Sequence, residues 1–186
     1  RILSLLYPEN NYFLYTPKAK KNKRLSFLKN RETTFVRTPF SFVGNLLKKY
    51  WRTSNIVKDL QQDEIDIFHG LSQELPLGIE KTNIKCVVTI HDLIFIRYPH
   101  LFSSIDRKIY HKKFQSACKR ADKIIAISQQ TKNDIIEFFG TDESKIEVVY
   151  QGCNKIFQSG ISEEKIEIVC KKYNLPEKFL LNVGTI

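Results

Sequence analysis

Four short apolar runs in this chain each end in residues able to do chemistry. Cys86 to Ile90 runs into His91-Asp92, and Asp66-Ile67-Phe68 into His69-Gly70. Ile124 to Ile127 stops at Ser128-Gln129, and Ile146 to Tyr150 at Gln151-Gly152. An imidazole takes up or releases a proton near neutrality, and an adjacent carboxylate orients a substrate hydroxyl or raises the imidazole pKa. His91 and Asp92 are therefore the candidate acid/base or anion-contacting pair, weighed against a plain loop hydrogen-bonding role for the histidine. Gly70 allows close backbone approach beside the His69 imidazole and the Ser72 hydroxyl, or else only relieves a tight turn. Ser128 opens a helix, where backbone N–H groups and the helix dipole suit a phosphate; its ordinary role there is a cap.

These residues need elements to carry them. A short apolar run without polar alternation reads as a strand buried on both faces. In an open parallel sheet, ligands bind outside the carboxyl ends of the strands. Strands over 65–69, 85–91, 123–127 and 146–150 would deliver their polar ends to one rim, which is a cleft. Apolar positions 105, 109, 110, 114, 117 and 118 predict a helix over 103–120. A second helix, 129–139, has Ser128 as its N-cap and Gly140 as its stop. A third, 163–173, has Ser162 as cap and Glu163 and Glu164 in its first turn. It leads through Pro176 to a strand over 179–183 and Gly184. Strands alternating with helices predict an α/β fold, a parallel Rossmann-like sheet flanked by helices.

The first third is different in character. Residues 1–7 read as the tail of an apolar helix, and 12–15 and 32–36 as strands. Residues 43–60 have helical apolar spacing, with Lys48, Lys49, Arg52 and Lys58 on the other side. That segment is either a surface helix packed on a sheet or a basic amphipathic helix lying on a membrane. The chain carries a net charge of +10, and all of it lies here: residues 1–62 hold 13 Lys and Arg against 3 Asp and Glu, and the remainder 17 against 17. Five cations fall between Lys18 and Arg24 alone. Such asymmetry points to an anionic partner, unless it is only a solvated surface.

A length of 186 residues suits one domain with an appendage. No run approaches the roughly 18 to 20 apolar residues of a membrane span, and the opening Arg1-Ile-Leu-Ser does not read as a charged-then-apolar leader, so none is expected. Cys86, Cys118, Cys153 and Cys170 fit no zinc spacing, so reduced cysteines in a cytoplasmic protein are expected. Dinucleotide, P-loop, serine-hydrolase and zinc-protease signatures are all missing. Basic residues near aromatics carry no RNP-like or zinc-knuckle pattern, so nucleic acid is not expected as a partner.

Four stretches, in order, resemble a known family: Asp66-Ile-Phe-His-Gly-Leu-Ser-Gln-Glu-Leu-Pro76, Val88-Thr-Ile-His-Asp-Leu93, Ala121-Asp-Lys-Ile-Ile-Ala-Ile-Ser128 and Lys145-Ile-Glu-Val-Val-Tyr-Gln-Gly152. They are similar to the N-terminal domain of retaining family-four glycosyltransferases of the GT-B fold, which include mannosyltransferases of polysaccharide assembly. The resemblance implies two Rossmann-like domains facing a cleft. Residues 1–178 would be the acceptor-side domain and 179–186 the start of the donor-binding one, with Gly184 in its first donor-facing turn. His91 would lie near the donor sugar and its diphosphate with Asp92 as its orienting neighbour, and His69, Gly70, Ser72 and Glu74 would line the acceptor side.

The family's first strand and glycine-rich loop would precede Arg1, and the rest of the donor domain would follow Ile186. Cys153-Asn154 stands where the family often has Val-Asp. The expectation is thus a fragment, inactive alone. The intact enzyme would pass a hexose such as mannose from a nucleotide-sugar donor to a glycan or lipid-linked acceptor, with retention and without metal or cofactor. The leaving phosphate would help accept the acceptor's proton. Basic residues 18–58 would meet an anionic membrane on its inner face. Rival readings are a GT-B sugar-nucleotide epimerase or phosphorylase, and a non-enzymatic basic module for nucleic acid or anionic lipid.

Overall fold

In a computed structural model of the chain, residues 2–17, 32–39, 50–153 and 157–182 are described. They fall into two compact units, Arg1–Tyr150 and Gln151–Ile186.

The first unit is built on a four-stranded, wholly parallel sheet. Its strands are β3 (Ile67–Gly70), β4 (Lys85–Ile90), β5 (Lys123–Ala126) and β6 (Ile146–Val148), side by side in chain order. Two earlier strands, β1 (Tyr12–Tyr15) and β2 (Thr34–Arg37), form a separate parallel pair with Tyr12 opposite Thr34. Asp63 ties that pair to the body of the unit. Tyr15 Oη donates to its Oδ2 at 2.6 Å, and Arg37 Nε donates to its Oδ1 at 3.1 Å. Burial and this bond to a carboxylate both push the Tyr15 phenol well above its ordinary pKa.

β4 is the strand that the composition of its run demands. Cys86, Val88 and Ile90 are buried on one face and Thr89 on the other, as expected of a β-branched run at the centre of a parallel sheet. β3 does not meet that expectation. It lies at the edge of this sheet, leaves Ile67 63% exposed, and takes His69 and Gly70 into the strand itself. β5 and β6 end at Ala126 and Val148, one and two residues short of the expected 127 and 150.

The two long helices of this unit, Ser104–Arg120 and Gln129–Phe139, pack on this sheet. α1 (Leu3–Leu6) is a single exposed turn. The described part of 43–60 opens with a wide, π-type turn, Trp51–Asn55, which runs into α2 (Ile56–Gln62). Trp51, Ile56, Val57 and Leu60 are buried in the core, so this part of the amphipathic stripe faces protein. Residues 18–31 and 40–49, with most of the expected basic surface, lie outside the described residues.

α3 (Ile94–Arg97) and a 3-10 turn at Pro99–Leu101 have no counterpart in the sequence reading. α4 (Ser104–Arg120) is capped by Ser103, whose side chain accepts from the Asp106 N–H, and it buries Phe114, Ala117 and Cys118. α5 (Gln129–Phe139) has the expected Ser128 cap and ends at Gly140 with φ of 61°, the left-handed conformation that glycine adopts without penalty.

The second unit holds α6 (Glu163–Tyr173). Ser162 has extended backbone at its start but makes no side-chain cap bond. The expected strand over 179–183 is not formed in the described residues 179–182, where Leu180 and Leu181 stand exposed. An apolar run becomes a strand only against a partner ladder. Among the described residues, no helix is long and apolar enough to cross a membrane.

Candidate functional site

Register sets the rim. Gly70 pairs with Val88, and Ile90 with Ala126, so the chain leaves β3 lower than it leaves β4 and β5. Leu71 consequently lies beside the end of β4. His91 Nε2 makes a 3.0 Å bond to the Leu71 carbonyl. A carbonyl oxygen only accepts, so Nε2 is the donor in this bond.

The other flank of His91 is the start of α5. Thr131 Oγ1 donates to the His91 carbonyl at 3.0 Å. The Thr131 N–H donates to Ser128 Oγ at 3.1 Å, and the two hydroxyls lie 2.9 Å apart. Asp92 Oδ1 accepts the Ile94 N–H at 3.2 Å and so shapes the entry to α3. An open cleft of about 520 Å³ lies here, lined by His91, Asp92, Arg97, Ser128, Gln130 and Thr131 among others.

Charge in the cleft is nearly spent internally. Arg97 donates through Nε and Nη2 to Asp134 Oδ1 at 3.0 and 2.6 Å, and through Nη2 to Glu137 Oε2 at 2.6 Å. Gln130 Nε2 adds a 2.6 Å bond to the same Asp134 oxygen. The Asp134 side chain is only 7% exposed, and burying a carboxylate demands such partners. With both carboxylates in hand, Arg97 brings little net positive charge to a ligand. What the cleft offers an anion is the N-terminal turn of α5, beside the His91 imidazole.

The loop after β3 is fastened at several points. Glu74 Oε1 lies 2.5 Å from Lys113 Nζ, and Arg52 approaches its other oxygen at 4.0 Å. Arg120 donates to the Leu75 and Pro76 carbonyls at 3.0 and 2.7 Å. Gln73 has a positive φ of 56°, rare for a side chain of this size, and its N–H reaches the Thr89 carbonyl at 3.2 Å. A Cβ added to Gly70 would meet the Glu74 carbonyl at 2.2 Å. Here the glycine is required by close approach within the chain.

His91, Asp92 and Ser128 are thus gathered at one cleft, with the Gly70–Glu74 loop alongside through Leu71. His69 is placed differently. Its Nε2 bonds Thr89 Oγ1 at 2.8 Å, burial lowers its pKa, and it is not among the residues lining the cleft. Ser72 is exposed on the loop, and Gly184 lies outside the described residues. Sequence reasoning missed Arg97, Gln130, Thr131 and Asp134. Only the Ser128-x-x-Thr131 spacing, a cap with a hydroxyl three residues on, signalled any of them. Among the described residues, no group of three or more His, Cys, Asp or Glu could hold a metal ion.

Comparison with known proteins gives this geometry a family. The family described as Glycosyltransferase Family 4 matches residues 10–155. A serotype-specific mannosyltransferase, WbdA of Escherichia coli, is 29% identical over 138 residues, which is 72% of this chain and 17% of WbdA. The chain thus spans about a sixth of that relative's length. Among solved structures, HepE of Anabaena, in complex with UDP and glucose, aligns with a TM-score of 0.58 at 18% identity, covering 93% of this chain and 45% of HepE. A glycosyltransferase from Rickettsia africae aligns with a TM-score of 0.51 at 18% identity, covering 93% of this chain and 44% of its own. The parallel α/β sheet is that of the GT-B neighbours, and the chain belongs to glycosyltransferase family 4.

Proposed function

We propose that this chain is the acceptor-side part of a retaining hexosyltransferase that moves a sugar, mannose being the first candidate, from a nucleotide-sugar donor to a glycan or lipid-linked acceptor. One observation carries the reading. His91 sits at the carboxyl rim of the sheet, between the Leu71 carbonyl and the start of α5, in a cleft with little free positive charge of its own. Family membership and the naming of the WbdA relatives as mannosyltransferases support sugar transfer. HepE structures with UDP and with UDP-glucose support a nucleotide-sugar donor.

On this reading the rim positions the donor diphosphate and sugar, with the His91 imidazole beside them and the α5 start supplying N–H groups. Asp92 shapes the turn that presents His91. The leaving phosphate helps take the acceptor's proton, and no metal is used. The Gly70, Ser72 and Glu74 loop, with His69 beneath it, faces the acceptor. Residues 1–178 form the acceptor-side domain, and 179–186, with Gly184, open the donor-binding one. That boundary concerns where the donor fold starts; the break after Tyr150 concerns compactness. Residues 18–58 bring the enzyme to the cytoplasmic face of an anionic membrane.

The test is transfer from GDP-mannose and from UDP-glucose by the full-length enzyme. His91→Ala should lower the rate at least about tenfold, the equivalent of ~1.4 kcal/mol in the barrier, with the fold intact. The 186-residue chain alone should transfer nothing. Full activity in His91→Ala makes that residue structural, and robust turnover by the chain alone overturns the two-domain reading.

A further inference from the structure

Four polar or charged residues are buried among the described residues: Asp59, Thr89, Thr131 and Asp134. Asp59 accepts the Trp51 indole N–H inside the core. Of the other three, Thr89 bonds His69 outside the cleft lining, while Thr131 bonds His91 and Asp134 bonds Arg97 within it. Burying a polar group is costly unless its bonds are made, so these bonds fix geometry. Two of the three lie on α5, three residues apart, and therefore on one face of that helix. They grip the segment after β4 at both ends, His91 by its carbonyl and Arg97 by its guanidinium.

We propose that Thr131 is a positioning residue for His91, with Asp134 securing the far end of the same segment. Thr131 is 4% exposed and reads two things at once. Its N–H is held by the Ser128 cap, which fixes where α5 begins, and its hydroxyl holds the His91 carbonyl. The start of the helix and the imidazole are thereby set in one register, so that both address the same ligand atoms. Asp134 limits pivoting of the segment about the His91 end, because Arg97 anchors it six residues past His91. The role deepens the functional reading above and rests on it, since positioning matters to the reaction only if His91 does.

The test compares Thr131→Val, which keeps the shape and removes the hydroxyl, with Thr131→Ser, which keeps the hydroxyl. The first readout is the His91 imidazole resonance in the 186-residue chain. Val should shift it and Ser should not, with His100 and His111 unmoved in both. The second is transfer by the full-length enzyme, from GDP-mannose or UDP-glucose, whichever the unmodified enzyme turns over. Val should lower kcat about fivefold or more with KM little changed, and Ser should restore most of that loss. An unshifted His91 signal in the Val variant, or equal losses in Val and Ser, overturns the proposal. A His91→Ala enzyme at full rate, with the His91 signal of the Val variant still shifted, overturns the functional reading and leaves the positioning bond standing.

Discussion

Replacing Gly70 with alanine probes the geometry of the acceptor-side loop directly. The new Cβ would lie 2.2 Å from the Glu74 carbonyl oxygen and 3.2 Å from Leu75 Cδ2. The leucine end gives way readily, but the carbonyl is backbone and must retreat by roughly 1 Å, an overpacking that costs about 1 to 3 kcal/mol. Its retreat also strains the Gln73 to Thr89 bond at 3.2 Å and the Arg120 bond to Leu75 at 3.0 Å. Each is worth about 0.5 to 1.5 kcal/mol if lost. Against this, alanine restricts the unfolded chain and returns about 0.4 to 1 kcal/mol. The net is a destabilisation of about 1 to 3 kcal/mol, a fall in Tm of roughly 3 to 9 °C for a chain of this size. Thermal unfolding followed by circular dichroism reads it, with Gly152→Ala, which meets nothing within 4 Å, as the near-silent control. A Gly70→Ala chain melting at or above the unmodified protein refutes the close-approach argument.

Three further outcomes are expected. Because burial lowers the His69 pKa, the folded state binds fewer protons than the unfolded one below about pH 6.5, so stability is full above that value and declines as the pH falls toward the depressed pKa; the urea midpoint between about pH 7 and 5 should drop, and His69→Gln should flatten the drop. Trp51 is 1% exposed and its indole N–H meets Asp59 Oδ2 at 2.6 Å, so Asp59→Ala should cost about 1 to 3 kcal/mol in chemical denaturation and Asp59→Asn less; equal costs would show that the bond is not what matters. Cys153 is exposed, whereas burial pushes the Cys118 thiol up to about 12, so a maleimide should label Cys153 in the folded chain and Cys118 only on unfolding; early labelling of Cys118 would contradict the packing of α4.

The parts of the site written in adjacent residues were readable in advance. A β-branched run ending in His91-Asp92 yields β4 and its rim, and the Ser128 cap with the Gly140 stop yields α5 within a residue. What joins those parts was not readable. Thr131 meets His91 across 40 residues of chain, and Arg97 meets Asp134 across 37; no local periodicity encodes a pairing over that distance. The positive φ of Gln73 was equally silent, because glutamine does not announce a left-handed turn as glycine or asparagine does. The 179–183 run shows the opposite failure, local β propensity without a ladder in the described residues to satisfy it.

The order of the main sheet has a consequence for how the chain is made. β3, β4, β5 and β6 lie side by side in the order in which they are translated. Each strand therefore docks on the one finished before it, at the cost of closing one crossover, and that cost grows only with the logarithm of its length. Growth is by accretion at a moving edge. A nascent chain that has emerged as far as Ala126 but not to Val148 can pair three strands, the last of which still shows a bare row of amides and carbonyls. Pairing of that edge with another nascent chain is the hazard such an intermediate carries, and arrival of β6 ends it for β5.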